Sequence, residues 1–326
     1  MASKKIVQRL IVIAIFIAFL VIGLGAYTRL TNSGLGCPDW PGCYGHISAP
    51  TEAVGSYKAW TEMIHRYFAG TLALLILGIV LYGARSVHKQ GHSAHYIPLF
   101  FLLLLLIYQP ILGMWTVTWK LLPIVVSQHL LGGMAILALL VLCHFIFKYA
   151  DLSSKSRGKT PILVFLILCG TVITYLQIAL GAWTSTNYAA IVCSDFPFCQ
   201  LAPWQFDFHN AFHLTSTIGP NYEGGLLSDA AKKTIQMTHR FGALVIFLYW
   251  FALASKVLFT SKNKHILSAL FLVLGLLIVQ LCLGISNVLL ARPLLIAVSH
   301  NLIAALLLAT TVRLSYLAYR FKEEMG

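Results

Sequence analysis

Four histidines occupy corresponding places in the two halves of the chain: His65, His129, His239 and His300. Each lies near the start of a long apolar segment. His129, His239 and His300 lie about 9–10 Å below their helix entries at 1.5 Å per residue, and His65 corresponds to His239 in the repeat. An ionisable residue in such a segment is costly and usually faces the interior of a helix bundle. Two imidazoles on facing helices can hold an iron porphyrin between them as axial ligands. The matched depth therefore predicts two haem sites, one in each half, with zinc or plain packing as the alternatives.

A carboxyl group accompanies only the first pair of histidines. Glu62 precedes His65 by three residues, so both lie on one helix face, whereas Gln236 stands in the matching place before His239. A carboxylate in low-dielectric surroundings can act as a base or stabilise a cation, and glutamine can do neither. The repeated motifs otherwise agree, so we expect chemistry in the first half and a permanently bound cofactor in the second. The alternative is that Glu62 only pairs with Arg66.

An arginine directly follows a histidine in both halves. Arg66 follows His65, and Arg240 follows His239. Guanidinium groups bind carboxylates with two parallel hydrogen bonds, which makes both arginines candidate partners of haem propionates. The alternative is that they extend to the membrane interface.

Two C-x5-C motifs contain the cysteines outside the apolar segments. Cys37 and Cys43 form the first pair, and Cys193 and Cys199 form the second, each with Asp two residues after the first cysteine. We expect both loops outside the cytoplasm, where disulfides persist. Two structural disulfides are the favoured interpretation, and a redox-active pair beside the first site is the alternative.

The composition places these residues in a membrane. Of 326 residues, 59% are hydrophobic and 10% are charged, and the mean hydropathy is +0.81, whereas soluble domains carry about 25% charged residues. The chain has 23 Lys and Arg against 10 Asp and Glu. These basic residues lie between apolar segments and form no basic face, which favours the positive-inside rule over binding of nucleic acid.

Apolar segments long enough to span a bilayer occur eight times, and helices are expected because lipid offers no partner to backbone groups. They cover 9–27, 64–84, 96–116, 123–147, 161–183, 234–258, 265–288 and 294–318. With the N-terminus inside, 15 of the 23 Lys and Arg face the cytoplasm and 8 do not, so both termini are expected there. The first segment is similar to a signal peptide. We expect it to be a membrane span instead, because the motif at its end recurs at the end of the fifth segment. Without a transit peptide, a bacterial inner membrane is expected.

The chain is an internal repeat of two four-helix halves. Leu24–Thr28 matches Leu180–Thr184 at an offset of 156, and that offset also aligns the two pairs of cysteines. The blocks at His65 and His239 match at an offset of 174, and those at His129 and His300 at 171. Four spans per half give both halves the same orientation. We therefore predict an all-α membrane protein with halves 1–150 and 151–326, two tandem bundles related by a pseudo-two-fold axis along the membrane normal.

Together these motifs resemble haem A synthase, the membrane enzyme of haem a biosynthesis. The resemblance covers essentially the whole chain. The long segment 184–233 is similar to the proteobacterial and mitochondrial branch of the family. The resemblance rests on E-M-I-H-R at 62–66, H-R at 239–240, His129, His300 and the two C-x5-C loops.

The resemblance implies a reaction and a role for each site. The family oxidises the C8 methyl of haem o to a formyl group through hydroxylated intermediates and so supplies haem a to terminal cytochrome oxidases. It implies haem o between His65 and His129, with Glu62 as the catalytic carboxylate, and haem b between His239 and His300. The pair Cys37–Cys43 is similar to the family's outer-loop pair. Implied partners are a haem O synthase that supplies the substrate, an electron acceptor of unknown identity, and cytochrome oxidase assembly factors.

Two other functions fit part of the sequence. A bis-histidine b-type cytochrome in quinone-linked electron transfer would need no Glu62, and both predicted haems lie toward one face of the membrane, which disfavours electron transfer across it. His144, the one histidine in the inner half of a span, has no counterpart in the repeat. A haem carrier would need a path from inside, and few polar residues line the inner half of the spans.

Overall fold

The computed structural model describes residues 2–50, 56–90, 96–149, 161–199, 206–214 and 217–322, and this part of the chain is helical. It contains no strand there, only an isolated bridge between Cys43 and His46. The helices are α1 (Ala2–Leu30), α2 (Ser56–Gln90), α3 (Tyr96–Thr118), α4 (Pro123–Lys148), α5 (Ile162–Thr186), α6 (Phe208–Ala211), α7 (Asp229–Thr260), α8 (Lys264–Leu289) and α9 (Leu294–Arg320).

Eight of these helices, all except the short α6, are long and apolar enough to cross a membrane. The predicted all-α fold with eight membrane helices is therefore confirmed. Three helices start at least five residues earlier than predicted: α1 begins at Ala2, α2 at Ser56 and α7 at Asp229. Ser228 caps α7 by accepting a hydrogen bond from the backbone N–H of Ala231 at 3.3 Å, so the helix continues through its polar first turns.

The longer helices change the expected depth of two histidines. His65 lies nine residues after the start of α2 and His239 ten after the start of α7, about 14–15 Å along each helix. His129 and His300 each lie six residues after the start of their helices, about 9 Å along, as expected. The polar turns of α2 and α7 therefore extend beyond the predicted spans and reach toward the cysteine loops.

The helices of each half pack in a closed order. In the first half α1 packs on α2, α2 on α3, α3 on α4, and α4 on α1. In the second half the pairs are α5 with α7, α7 with α8, α8 with α9, and α9 with α5. Helices α2 and α4 are thus diagonal partners, as are α7 and α9. The two halves are joined by contacts of α9 with α1 and α4, and of α4 with α5. The pseudo-two-fold axis that relates the halves stays a prediction.

Apolar packing fills the end of each bundle that is remote from the cysteine loops. In the first half the buried core includes Ile11, Ile76, Leu137 and Phe147, all in the parts of α1, α2 and α4 far from His65 and His129. The second core surrounds Trp250, whose indole N–H donates to Thr174 at 3.1 Å. Because lipid is as apolar as these side chains, close van der Waals packing holds the helices together. At the loop end the apolar clusters are smaller and share the space with the polar groups.

Candidate haem-binding site

The first pair of histidines meets in the interior of the first bundle. His65 on α2 and His129 on α4 approach across the diagonal, with ring centroids 6.5 Å apart and ring planes at 79°. Two imidazoles on opposite sides of one metal ion have centroids about 6–6.5 Å apart when each metal–nitrogen bond is about 2.0–2.1 Å. The predicted pairing of these two residues is therefore present in the fold. Their role as ligands stays a prediction.

The second pair occupies the matching diagonal. His239 on α7 and His300 on α9 are close enough for their charges to interact. A glutamine amide contacts each ring: Gln177 Nε2 lies 3.0 Å from His239 Nδ1, and Gln280 Nε2 lies 3.2 Å from His300 Nε2. The sequence motifs missed Gln177, although an amide inside an apolar span is a signal that could have found it.

A glycine on the neighbouring helix faces each of the four imidazoles. A Cβ atom on any of them would lie only 3.0–3.4 Å from the ring Cε1. The glycines therefore let each imidazole lie against the adjacent helix backbone, which limits the directions in which the ring can point. The contacts are Gly25 with His65, Gly113 with His129, Gly181 with His239, and Gly284 with His300.

Unpartnered nitrogens test whether these residues fit an iron porphyrin. The Nδ1 atoms of His65, His129 and His300 are buried and make no hydrogen bond of regular geometry among the described residues. A backbone group lies near each ring, from Val21, Gln109 and Gln280 respectively. Buried polar atoms are normally satisfied, and an imidazole nitrogen without a proton can bind a metal. Three open nitrogens at facing rings, together with the 6.5 Å separation of the first pair, fit axial ligation of haem iron.

Glu62 is a buried carboxylate bound to the first cysteine loop. The residue is only 5% exposed, and its Oε2 accepts a hydrogen bond from the backbone N–H of Cys37 at 2.9 Å. Its Oε1 pairs with Arg66 at 2.5 Å. The predicted alternative, a pair with Arg66, thus exists alongside the loop contact. A carboxylate that is held at both oxygens has a fixed position beside the turn that carries His65.

Gln236 reproduces this contact in the second half without the charge. Its Oε1 accepts from the backbone N–H of Cys193 at 3.0 Å, and its Nε2 donates to the carbonyl of Ala190 at 2.8 Å. The loop contact therefore needs only an oxygen acceptor, which either residue supplies. It does not explain why the first half carries a carboxylate, so the charge of Glu62 calls for another reason.

The two arginines bind the cysteine loops. Arg66 donates to the carbonyls of Asp39, Pro41 and Gly42, the last at 2.5 Å. Arg240 donates to the carbonyls of Cys193, Asp195 and Pro197 at 2.7–3.1 Å. The buried Nε of Arg240 has no partner within the described part of the chain. Both guanidinium groups thus fix a loop beside a histidine, and their predicted contact with haem propionates stays a prediction.

Both predicted cysteine pairs are disulfide bonds. Cys37 is bonded to Cys43, and Cys193 to Cys199. Cys37 and Cys43 are completely buried and pack with Met63 and Ala59 of α2. The first disulfide therefore holds the loop whose backbone N–H binds Glu62. The structure assigns a packing role to this bond, and redox activity stays an alternative.

Asp39 stabilises the turn at the end of the first loop. Its carboxylate accepts from the backbone N–H groups of Gly45 at 2.7 Å and Tyr44 at 2.6 Å. These hydrogen bonds hold the pKa of Asp39 below its ordinary value, and the one from Gly45 has the larger effect. A lowered pKa means that the carboxylate stabilises the folded loop fully above the ordinary pKa of about 3.9, and that this contribution is lost as the pH falls through the lower pKa of the folded state.

Replacing Asp39 with Asn should speed reduction of the first disulfide by a phosphine at pH 7. The buried sulfurs become accessible only when the loop opens, and loss of one hydrogen bond favours opening by about 2- to 10-fold. Alkylation and mass spectrometry would measure the rate, with Asp207→Asn as the control because that carboxylate caps α6 instead. The rates of the variant and the wild type should converge at a pH well below about 3.9. Equal rates at pH 7 would show that Asp39 does not stabilise the loop.

Zinc, the alternative ligand, would need three or four protein side chains at one point. Across the described ranges, no group of three or more His, Cys, Asp or Glu residues gathers in that way. The histidines described come together in twos, an arrangement that suits a planar group with four equatorial nitrogens of its own.

The fold and these residues define an all-helical, multi-pass membrane protein with two facing histidine pairs beside disulfide-bonded loops. A family model described as COX15-CtaA, cytochrome oxidase assembly protein, matches residues 8–312. The chain belongs to this family of cytochrome oxidase assembly proteins, and the resemblance seen in its sequence is confirmed.

Relatives in the family extend over nearly the whole chain. The chain is 42% identical to a haem A synthase of Shewanella oneidensis over 93% of its length and 94% of that protein. It is 26% identical to a haem A synthase of Bacillus licheniformis over 97% of its own length and 96% of that protein. It is 27% identical to a haem A synthase of Rickettsia canadensis over 95% of its own length and 97% of that protein.

Proposed function

We propose that the chain is a haem A synthase, an oxidoreductase that converts the C8 methyl of haem o into a formyl group and thereby serves cytochrome oxidase assembly. One observation carries the proposal most directly. Glu62 and Gln236 make the same contact with a cysteine loop, yet only the first half has an ionisable group there. Similarity to proteins named haem A synthase supports the same assignment.

The first half is the proposed substrate site. His65 and His129 face each other across the bundle and would hold haem o between them. Conversion of a methyl into a formyl group with water as the source of the oxygen releases four protons and four electrons (R–CH3 + H2O → R–CHO + 4 H+ + 4 e−). Glu62 is fixed beside this pair by Cys37 and Arg66, and we assign it the acceptance of a proton or the stabilisation of positive charge at the methyl carbon.

The second half is the proposed cofactor site. His239 and His300 would bind haem b, which supplies an iron centre able to take up and pass on single electrons. Gln236 replaces the carboxylate there, so this half has no group for proton transfer at the equivalent place. The electrons removed from the substrate then leave to an acceptor outside the chain. We assign residues 1–150 to the substrate half and 151–326 to the cofactor half.

We also propose the cellular setting. The excess of basic residues at one end of the spans supports cytoplasmic termini. The setting that we propose is the inner membrane of a bacterium, with the histidine pairs and disulfide loops toward the periplasm. A haem O synthase in the same membrane would supply the substrate, and assembly factors of the oxidase would receive the product.

Extraction of haems from cells that express the chain with a source of haem o tests this function. We expect haem a in these cells, haem o but no haem a in matched cells without the chain, and haem b bound to the purified protein. Chromatography with mass analysis identifies each haem. Haem b alone, with no haem a in the cells, would instead support a b-type cytochrome.

A further inference from the structure

We propose that Gln177 is a positioning residue that fixes the His239 imidazole, so that the second site retains its haem while the first can release its own. The inference rests on the proposed function, because it assumes that His239 is a haem ligand. It concerns a difference between the halves that lies outside the repeated motifs.

Gln177 contacts both the backbone and the ring of His239. Its Nε2 donates to the His239 carbonyl at 2.8 Å and lies 3.0 Å from Nδ1. With Nδ1 occupied by an amide, Nε2 is the nitrogen left for iron. A ligating histidine commonly hydrogen-bonds through its other nitrogen, which fixes the ring and strengthens it as a ligand. When iron binds Nε2, Nδ1 carries the proton. The amide N–H of Gln177 then keeps its bond to the His239 carbonyl, and a change of side-chain torsion is needed to bring its Oε1 to Nδ1–H as the acceptor.

A glycine creates the space for this amide. A Cβ atom at Gly242, three residues after His239, would lie 2.2 Å from Gln177 Oε1. Any larger residue at 242 would therefore displace the amide from the histidine. Glutamine at 177 and glycine at 242 thus act together on one imidazole.

The first half lacks both members of this pair. The offset of 156 places Val21 opposite Gln177, and the offset of 174 places Phe68 opposite Gly242. The carbonyl of Val21 lies near the His65 ring, but His65 Nδ1 makes no hydrogen bond within the described residues. The equivalent histidine of the substrate half is therefore held by packing and not by a side-chain amide.

The remaining two histidines differ in the same sense. Gln109 also lies beside a glycine, Gly132, and donates to the backbone carbonyl of His129 at 3.1 Å, but its side chain makes no hydrogen bond to the His129 ring. Gln280, the matching residue, contacts the ring of His300 itself. Both imidazoles of the second half thus contact an amide, and among the described residues neither imidazole of the first half does. A substrate site must exchange its haem at each turnover, whereas a cofactor site must not.

Replacing Gln177 with Val, the residue of the first half, tests the proposal on the purified holoprotein. Transfer of haem b to apomyoglobin should become about 10–100-fold faster, the usual effect of removing a ligand's hydrogen-bond partner. The reduction potential of this haem should rise, because the imidazole becomes a weaker donor to iron. Thr171→Val is the control, since it removes a partly buried hydrogen bond of the same helix, to Ser315, without touching His239.

A second variant reaches the same amide without changing it. Gly242→Ala should reproduce the faster haem loss and the higher potential. Gly275→Ala on α8 is its control, because a Cβ there meets open space. Conversely, Val21→Gln combined with Phe68→Gly should slow the release of haem from the first site.

The outcomes separate this inference from the proposed function. If Gln177→Val and Gly242→Ala keep wild-type haem transfer and potential while His239→Ala loses haem b, the positioning role is wrong and the haem site stands. If His239→Ala leaves the haem spectrum unchanged, the haem site itself is wrong. A higher potential in both variants, absent from both controls, supports the inference.

Discussion

Replacing Glu62 with Gln should abolish most haem a formation while the protein keeps its fold and its haem b. Gln236 already makes the equivalent loop contact in the second half, so the amide oxygen of the new side chain would still accept from the N–H of Cys37. What is lost is the charge beside the substrate pair and with it the ion pair with Arg66, whose guanidinium keeps its bonds to the loop carbonyls. Removal of a group that acts on a proton in the transition state costs about 10²–10⁴-fold in rate. Haem a extracted per unit of purified protein measures the effect.

The reciprocal change, Gln236→Glu, is the matched control. It places a carboxylate at the same loop contact of the cofactor half, where it still accepts from the N–H of Cys193 but loses the bond to the Ala190 carbonyl, and it should leave haem a formation largely intact. Alkylation of Cys37 and Cys43 before and after reduction would show whether the first loop is preserved in Glu62→Gln. Haem a production at the wild-type rate with an intact loop would remove Glu62 from the reaction and return it to a packing role.

The sequence was sufficient to predict the eight membrane helices and the pairing of the histidines and cysteines. Eight apolar segments predicted eight helices because lipid allows no other backbone arrangement for such lengths. The repeat then placed four histidines in two pairs, and the structure brings His65 and His129 together. The C-x5-C spacing likewise predicted both disulfides.

What the sequence could not give depends on contacts between distant segments. The roles of Arg66 and Arg240 as donors to loop carbonyls arise from loops whose course has no periodic signal. The contact of Glu62 with Cys37 has the same origin. Gln177 escaped notice because a single amide in an apolar helix gains meaning only when its partner, a histidine of another helix, is known. The early starts of α2 and α7 depend on polar turns that hydrophobicity does not detect.

Replacing His239 or His300 with Ala should remove haem b from the purified protein and with it nearly all haem a formation. Even changes to groups that only support a metal ligand cost about 10–100-fold in affinity, so loss of the ligand itself should cost more than about 100-fold. His65→Ala should differ in kind: it should stop haem a formation while haem b remains, because His65 belongs to the other pair. Haemochrome spectra and extracted haems measure both quantities.

The control for these variants is His144→Ala. His144 is also a membrane-helix histidine with a buried Nδ1 that has no partner among the described residues, but it lies near the end of α4 far from the cysteine loops and has no repeat counterpart. Loss of a buried imidazole as such would affect all of these variants alike, whereas two separate haem sites predict three different results. Identical haem spectra for His239→Ala and wild type would contradict the cofactor site, and equal losses of haem b in His65→Ala and His239→Ala would contradict the division of labour between the halves.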